Sequence, residues 1–262
     1  MKKIIAILLA AVMLLSFAAC SAKQGGETAA DSDLAYIKEN GKLIVGITDY
    51  APMDYKAEDG SWTGFDAEFA EAVGEKLGVQ IEFVEIDWDN KFLELKTKSI
   101  DCIWNGMTIT DEVKNNTNCT KAYAKNEQVV VLTAEKAAAV SSVEDLKDLT
   151  FAVEKGSAGE AAAEDNGLKA TAVQNQTNAL LEVKSGSVDG CIIDSTMADT
   201  MTGEGTSYQD LAKSVSLTKE EYGIGCRIDS DLTDALNTYI DEMKADGTLV
   251  ALAEKYEIAL AD

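Results

Sequence analysis

The residues that could do chemistry are concentrated in polar segments that follow apolar, strand-like runs. These segments are residues 48–53, 105–110, 154–160 and 194–196. In a sheet of parallel strands, ligands bind beyond the carboxyl ends of the strands, where loops and helix N-termini converge. We therefore expect the four segments to form one site for a small molecule.

Two of these segments could complement charges on such a molecule. Ser157 and Glu160 have the spacing of a capping box, and the exposed N–H groups of a helix start favour an anion. Asp194 ends an apolar strand, where a lone carboxylate is costly unless a cation or hydrogen-bond donors meet it. The alternative in both places is an ordinary helix cap.

The other two segments could shape the site. Gly106 would let a ligand approach the backbone closely. The alternative is a plain strand-to-helix turn that Thr108 or Thr110 caps. In segment 48–53, Pro52 is the single proline of the chain, and it fixes the loop that holds Tyr50 near the strand end.

The chain contains no histidine. This excludes Ser-His-Asp catalysis, Cys-His catalysis and any histidine-based metal site. No pair of cysteines has the close spacing of a zinc site, and we expect neither a metal nor a cofactor. The groups left for proton transfer are Asp49, Glu154, Lys155 and Asp194. We expect a binding protein rather than an enzyme, with no catalytic residue.

The charge of the chain restricts its partners. There are 46 acidic and 23 basic residues, which gives a formal net charge of −23. Such a surface repels nucleic acid and anionic lipid. The acidic residues are spread along the chain rather than gathered in a tail, so we interpret them as a device for solubility.

The first residues have the features of an export signal. Lys2 and Lys3 precede a predominantly apolar run over residues 4–17, which is shorter than the ~20 residues of a membrane-spanning helix. Small residues then precede Cys20, and this arrangement resembles the bacterial lipoprotein signal. We expect a signal peptide over residues 1–20 with lipid on Cys20, followed by a flexible tether over residues 21–33. The alternative is an ordinary cleaved signal.

Strand-like and helix-like segments alternate from residue 43 onward. Strands are predicted at residues 43–47, 81–86, 100–104, 128–132, 150–153, 171–173, 190–193 and 222–226, and helices at 65–77, 89–98, 142–145, 157–166, 177–185, 232–243 and 249–256. Alternation of this kind predicts an α/β fold with mainly parallel sheets flanked by helices. The pattern restarts midway, which indicates two lobes.

Four cysteines follow Cys20, and export would permit disulfides between them. Cys102, Cys191 and Cys226 lie inside apolar runs, where a free thiol behaves as a small buried hydrophobe. With Cys119 included, three pairings remain open. We favour free thiols in the core.

A series of short motifs occurs in a fixed order along the chain. They are Tyr50-Ala51-Pro52, Gly64-Phe65-Asp66, Asp101 before a strand, Gly106-Met107-Thr108-Ile109-Thr110, Lys155-Gly156-Ser157, Ser185-Gly186 followed by Val188-Asp189, Asp194, Tyr222-Gly223-Ile224 and Lys244-Ala245-Asp246-Gly247-Thr248. Each motif alone is weak, but their order and spacing resemble the family 3 extracellular solute-binding proteins. This family supplies polar amino acids to ABC importers.

The resemblance implies roles for individual residues. Tyr50 is similar to the aromatic residue that stacks on the ligand, with Trp88 and Trp104 as further walls. In the block that begins at Asn105, Gly106 and Thr108 match the segment whose backbone amide and hydroxyl bind the ligand carboxylate. In the second lobe, Gly156 and Ser157 match another carboxylate site, and Asp194 matches the aspartate that binds the α-ammonium group. For Trp88 and Trp104, packing at the rim is the alternative.

One position departs from the family pattern. The family carries an arginine where this chain has Val113, and that arginine grips the ligand carboxylate with two parallel bonds. We expect Arg227, the single arginine here, to lie too far away. A lysine does not replace a bidentate arginine in kind. Either Lys155 or Lys125 compensates, or the helix-start amides suffice, or the ligand is not a standard α-amino acid.

The resemblance thus implies a two-lobed, periplasmic-binding-protein-like fold of type II. We expect residues 34–124 and 221–262 in one lobe and 125–220 in the other, with hinge crossings near 123–126 and 220–222. A small amino acid or analogue would bind between the lobes of a lipid-anchored, extracytoplasmic monomer that delivers it to an ABC permease. The alternatives are a lipid-tethered ligand-sensing domain and a dehydratase or lyase derived from this fold.

Overall fold

A computed structural model of the chain describes residues 32–262. The predicted signal peptide and Cys20 lie outside the described residues, as does most of the predicted tether. The first helix begins at Asp33, the last residue of that tether, whose side chain is buried. No helix within residues 32–262 is long and apolar enough to cross a membrane.

The chain alternates between strands and helices throughout this range. Its helices are α1 Asp33–Asn40, α2 Phe65–Leu77, α3 Lys91–Lys96, α4 Asp111–Asn116, α5 Ala134–Ala137, α6 Ala158–Asp165, α7 Gln176–Ser185, α8 Ser195–Met201, α9 Leu232–Ala245 and α10 Thr248–Tyr256, with short 3-10 helices at Trp88–Asn90 and Val143–Leu146. Its strands are β1 Lys42–Ile47, β2 Tyr55–Lys56, β3 Trp62–Thr63, β4 Gln80–Glu85, β5 Cys102–Thr108, β6 Asn118–Cys119, β7 Ala124–Asn126, β8 Gln128–Thr133, β9 Thr150–Glu154, β10 Lys169–Val173, β11 Gly190–Asp194, β12 Leu211–Ser216 and β13 Glu220–Cys226.

Two mixed sheets form the two lobes. The first has the strand order β4-β1-β5-β13-β6, with β7 also paired to β13, and the second has the order β10-β9-β11-β8-β12. In each sheet the strands joined by helices are parallel, whereas β13 and β8 run antiparallel to their neighbours. The predicted α/β class and two-lobed architecture are confirmed.

The chain passes between the sheets twice. It leaves the first sheet after Asn126 and enters the second at Gln128. It leaves the second sheet after Ser216 and returns to the first at Glu220. Because β8 and β13 each follow such a crossing, they join their sheets without a crossover helix and can pair antiparallel.

The hydrophobic pattern explains the local structure. Phe65, Phe69, Val73 and Leu77 all point into the core from α2, which ends at Gly78 in the left-handed conformation, φ 75°. The predicted helix over residues 65–77 is confirmed. The hairpin of β2 and β3 has no counterpart among the predicted elements, because its two strands are too short to show a period.

Strand β5 extends beyond its predicted end. Residues 105–108 belong to the strand itself, where Thr108 pairs with Tyr222 and Met107 with Gly223. The predicted end of this strand at residue 104 was therefore wrong, because the antiparallel partner β13 continues the pairing. Thr110, not Thr108, caps the following helix, accepting a hydrogen bond from the Val113 amide at 3.1 Å.

The cysteines after Cys20 carry free thiols. Cys102, Cys191 and Cys226 are buried, and Cys119 is partly buried. Burial raises the pKa of Cys119 to about 11 and that of Cys226 to about 12. These thiols pack as small apolar groups, as the sequence indicates.

Candidate functional site

A cavity of about 140 Å³ lies where the ends of the two sheets approach each other. One water needs roughly 10–15 Å³ by this measure, so the cavity has room for a small solute. The first lobe contributes Tyr50, Trp88, Lys91, residues 105–108, Thr110, Glu112 and Val113 to its walls, and the second contributes Glu154, residues 156–158, Ala161, Gln176 and Asp194.

The cavity brings together most of the residues singled out in the sequence. Tyr50, Trp88, Asn105, Gly106, Thr108, Gly156, Ser157 and Asp194 all line it. Two others do not. Trp104 is fully buried behind the wall, with its ring edge-on to Phe69 at a centroid distance of 4.8 Å. Lys155 is an exposed residue whose Nζ pairs with Asp89 Oδ2 at 2.8 Å.

Tyr50 joins the lobes at one end of the cavity. Its hydroxyl hydrogen-bonds to Tyr222 at 2.6 Å and to Thr196 of the second lobe. Gly106 lies against the ring with φ +56°, and a Cβ there would fall 2.6 Å from Tyr50 Cε1. The wall therefore requires glycine at position 106, both for its backbone angle and for the close approach of the ring.

The donors of segment 105–108 are already used within the protein. The Asn105 side chain bonds to the Thr48 amide and hydroxyl at 2.9 and 2.8 Å. The Gly106 amide donates to Asp66 Oδ2 at 2.6 Å, and the Thr108 hydroxyl donates to Glu220 Oε1 at 2.8 Å. The amide and hydroxyl expected to receive a ligand carboxylate are thus occupied by protein acceptors.

The start of α6 faces the cavity from the second lobe. The Ser157 Oγ accepts from the Glu160 amide at 3.2 Å, so Ser157 is the N-cap. Glu160 reaches back to the Gly156 amide at 2.7 Å rather than to the Ser157 amide of a standard capping box. Ala158, the first residue of the helix, lines the cavity and presents the positive end of the helix dipole.

Asp194 is held by neutral donors. Its Oδ1 accepts hydrogen bonds from Asn126 at 2.5 Å, Gln128 at 2.7 Å and the Tyr222 hydroxyl at 2.9 Å, and its Oδ2 accepts one from Gln176. Although Asp194 precedes α8, its side chain makes no cap hydrogen bond. Burial, and next the charge of Glu220, raises the pKa of this carboxyl to about 7.

A second buried carboxyl lines the same cavity. Glu154 is 3% exposed, and its Oε1 has no hydrogen-bond partner within the described chain. Burial, and next the charge of Asp194, raises the pKa of Glu154 to about 8. The sequence indicated Glu154 only as a candidate for proton transfer, because a strand-end glutamate has no distinctive spacing.

Lys91 is the one charged residue, besides Glu112, that lines the cavity within residues 32–262 and that the sequence analysis did not single out. It is 4% exposed and lines the cavity at the start of α3. No pattern distinguishes it from surface lysines, because a lysine in a short amphipathic helix ordinarily faces solvent. Its burial depends on a contact with Gly156, far along the sequence, whose carbonyl accepts from Nζ at 2.8 Å.

The other cations lie away from the cavity. Lys125 pairs with Asp262 at 3.0 Å on the surface. Arg227 bonds to Asp33 and Asp101 beside the start of β5, whereas the cavity lies at the end of that strand. The prediction that Arg227 lies too far to reach the site is confirmed. Val113 itself is buried and forms part of the cavity wall.

Two α/β lobes with a solute-sized cavity between them define a periplasmic-binding-protein-like fold of type II. The model of the bacterial extracellular solute-binding proteins, family 3, matches residues 43–258. This chain belongs to that family. The resemblance stated from its motifs is confirmed.

Individual relatives cover nearly the whole chain. The arginine-binding extracellular protein ArtP of Bacillus subtilis (strain 168) is 31% identical over 98% of this chain and 98% of its own length. A mutant of ArgBP from T. maritima has a TM-score of 0.79 and 33% identity, covering 85% of this chain and 98% of that one. The ancestral amino acid-binding protein AncCDT-1, a precursor of cyclohexadienyl dehydratase, has a TM-score of 0.80 and 33% identity, covering 86% and 99%.

Proposed function

We propose that this chain captures an amino acid, or a closely similar small polar solute, in the cavity between its lobes and presents it to an ABC permease. The observation that supports this most is the cavity itself, which both lobes enclose and which holds the buried carboxyl of Asp194 beside the start of α6. An ammonium group and a carboxylate, the two ends of an amino acid, have complementary partners there.

The site residues divide between the two ends of such a ligand. Tyr50 and Trp88 form aromatic walls, Asp194 binds the α-ammonium group, and Gly156 and Ser157 hold the helix start toward the carboxylate. Asn105, Gly106 and Thr108 shape the wall, since their donors are used elsewhere. Lys155 lies at the rim of the site, where its ion pair with Asp89 joins the two lobes.

Closure of the lobes accompanies capture in this proposal. We assign residues 34–124 and 221–262 to lobe 1 and residues 125–220 to lobe 2, with the crossings as hinges. Contacts from Lys155 to Asp89 and from Tyr50 to Thr196 join the lobes. A ligand favours closure only through contacts that it makes in the closed state and not in the open one.

The proposed setting is the outer face of the cell membrane. Residues 1–20 direct export, lipid on Cys20 anchors a monomer, and residues beyond it act as a tether. Replacing Cys20 with alanine should release the protein from the membrane fraction of its host into the soluble fraction. Retention of the variant in the membrane fraction would contradict the anchor, without bearing on solute capture.

The capture role is tested by a thermal-shift screen of the purified chain, residues 21–262, against the twenty standard amino acids, L-ornithine and L-cystine. A ligand that binds only the folded state raises the melting temperature, and at 100 times Kd it stabilises by about 2.7 kcal/mol. L-arginine is the first compound to test, because two similar proteins carry arginine in their names. A flat response to every compound would contradict the proposal.

A dehydratase or lyase is the second candidate. It is favoured by two buried cavity carboxyls with raised pKa values and by the likeness to a precursor of a dehydratase. We propose a binding role instead, and incubation with prephenate and L-arogenate should leave both unchanged. Turnover that disappears in Asp194→Asn would establish the enzyme. A sensing domain would bind ligand equally well, and only loss of uptake on deleting the chain distinguishes transport from sensing.

A further inference from the structure

Lys91 is a buried cation without a counter-ion. No carboxylate of residues 32–262 lies within 4.0 Å of its Nζ, although the side chain is 4% exposed. The ammonium donates to the carbonyl oxygens of Trp88 at 3.2 Å and Gly156 at 2.8 Å. A lysine ammonium has three N–H groups, so one donor remains beside the cavity that Lys91 lines.

Such a charge is costly unless something compensates for it. Removing an ammonium from water costs several kcal/mol in real proteins, and neutral carbonyls restore only part of this. The rings of Trp88 and Phe92, whose centroids lie 4.9 and 4.7 Å from Nζ, contribute a further part. The carboxyls of Glu112, Glu154, Asp89 and Glu160 compensate in part from beyond ion-pair distance. An anion in direct contact with the ammonium would remove the deficit that remains.

The surroundings of Nζ favour a carboxylate in particular. The carbonyl that Lys91 contacts belongs to Gly156, two residues before α6 begins at Ala158. The ammonium therefore lies next to the positive end of the helix, and both can meet one anion. Val113, where the family pattern has its arginine, is apolar and lines the same cavity, so it supplies no charge.

We propose that Lys91 binds the carboxylate of the amino-acid ligand, in the role that an arginine at position 113 would otherwise have. The proposal rests on the amino-acid capture proposed above. Because Lys91 belongs to the first lobe and Gly156 to the second, the carboxylate site is complete only when the lobes close. Carboxylate binding and closure thereby depend on the same side chain.

The test compares an amino acid with the amine that lacks its carboxylate. For the wild type, Kd is measured by isothermal titration for L-arginine and agmatine, and likewise for any other amino acid that responds in the thermal screen with its own amine. We expect the wild type to prefer the amino acid. Lys91→Met should weaken amino-acid binding about 100-fold, the loss typical of a buried charged partner, and amine binding less than about threefold.

Two further variants serve as controls. Lys42→Met removes an exposed lysine of the first lobe, which pairs with Glu82 outside the cavity, and should change both affinities less than about threefold. Lys91→Arg should retain more amino-acid affinity than Lys91→Met, because the charge is kept. The melting temperature of ligand-free Lys91→Met should equal or exceed that of the wild type, which shows that the variant is folded.

The outcomes separate this inference from the one it rests on. Equal losses for the amino acid and the amine would overturn it, because Lys91 would then serve closure alone. Unchanged amino-acid affinity in Lys91→Met would overturn it as well. If no amino acid binds the wild type, the capture proposal fails first and the role of Lys91 fails with it.

Discussion

The two buried cations of the first lobe have opposite surroundings. Arg227 lies between Asp33 and Asp101, bonded to them at 2.9 and 3.0 Å. Lys91 is in direct contact with carbonyl oxygens and aromatic rings, and acidic side chains act on it only from beyond ion-pair distance. We call the first group the Arg227 cluster, made of Arg227, Asp33 and Asp101, and the second the cavity cluster, made of Lys91, Glu154 and Asp194.

The same contrast extends to the carboxyls. Hydrogen bonds from Arg227 and Ser230 outweigh the effect of burial and lower the pKa of Asp33, so the charge of this carboxylate is stabilised inside the Arg227 cluster. In the cavity cluster, burial raises the pKa of Glu154 and of Asp194. The Arg227 cluster pairs its charges within the protein, with Lys98 a further 3.6 Å partner of Asp33, and it supports the fold. The other leaves its charges to be met by a ligand.

The largest effect is expected on stability, and it should distinguish the Arg227 cluster from the cavity cluster. Arg227→Met should lower the free energy of unfolding by about 3–5 kcal/mol, because it leaves buried Asp101 without its cation and Asp33 with only the exposed Lys98. Urea unfolding measures this as a shift in midpoint at constant slope. Ligand affinity in the folded variant should stay unchanged, and a large loss of affinity would show that the clusters are not independent.

The substitution Asp194→Ala tests the role of a carboxylate in the cavity cluster. Removing the carboxylate should weaken binding of an ammonium-bearing ligand by at least about 100-fold, since such a loss is typical of a buried charged partner. Isothermal titration with the amino acid found in the thermal screen gives the value. Asp101→Asn is the matched control, and it should lower stability without changing Kd. If Asp194→Ala keeps its affinity for the ligand, the carboxylate of Asp194 stabilises the protein and does not bind the ligand.

The pH dependence of stability should have opposite signs in the two clusters. The folded pKa of Glu154, about 8, lies above its ordinary 4.5. The folded state therefore holds this proton more tightly than the unfolded chain, and the associated stability is full below pH 4.5 and lost as pH rises toward 8. The lowered pKa of Asp33 acts in reverse, with stability present above its ordinary 3.8 and lost on acidification.

Glu154→Gln isolates the first of these contributions. Between pH 5 and 8 the wild type should lose about 3–4 kcal/mol relative to the variant, given that one pKa unit corresponds to about 1.4 kcal/mol. Urea midpoints at four pH values for both proteins provide the comparison. Parallel curves would mean that Glu154 keeps an ordinary pKa in the cavity.

The smallest effect is expected for an exposed pair. Lys155→Gln removes an ion pair whose side chains are 61% and 38% exposed, and solvent screens such pairs so that they contribute little to stability. Its unfolding midpoint should lie within error of the wild type at physiological salt. If Lys155→Gln lost as much stability as Arg227→Met, the ion pair between Lys155 and Asp89 would be important for the stability of the fold.

Sequence reasoning succeeded where the signal was local. The spacing of Phe65, Phe69 and Val73 predicts α2, and the polar segments after β1, β9 and β11 do meet at one cavity. It failed for Trp104, because β5 is buried along almost all its length and alternation no longer shows which face a side chain takes. Lys91 could not be found either, since its burial depends on the approach of the opposite lobe.

The hydrogen bonds around Asp194 include both hinges. Asn126 is the last residue of the first sheet before the first crossing, and Glu220 is the first residue of that sheet after the return. The side-chain amide of Asn126 donates to both Asp194 and Glu220. Rotation at the crossings must change the spacing of these three groups, and the charge of Glu220 is one cause of the raised pKa of Asp194. We therefore expect the pKa of Asp194 to depend on the angle between the lobes.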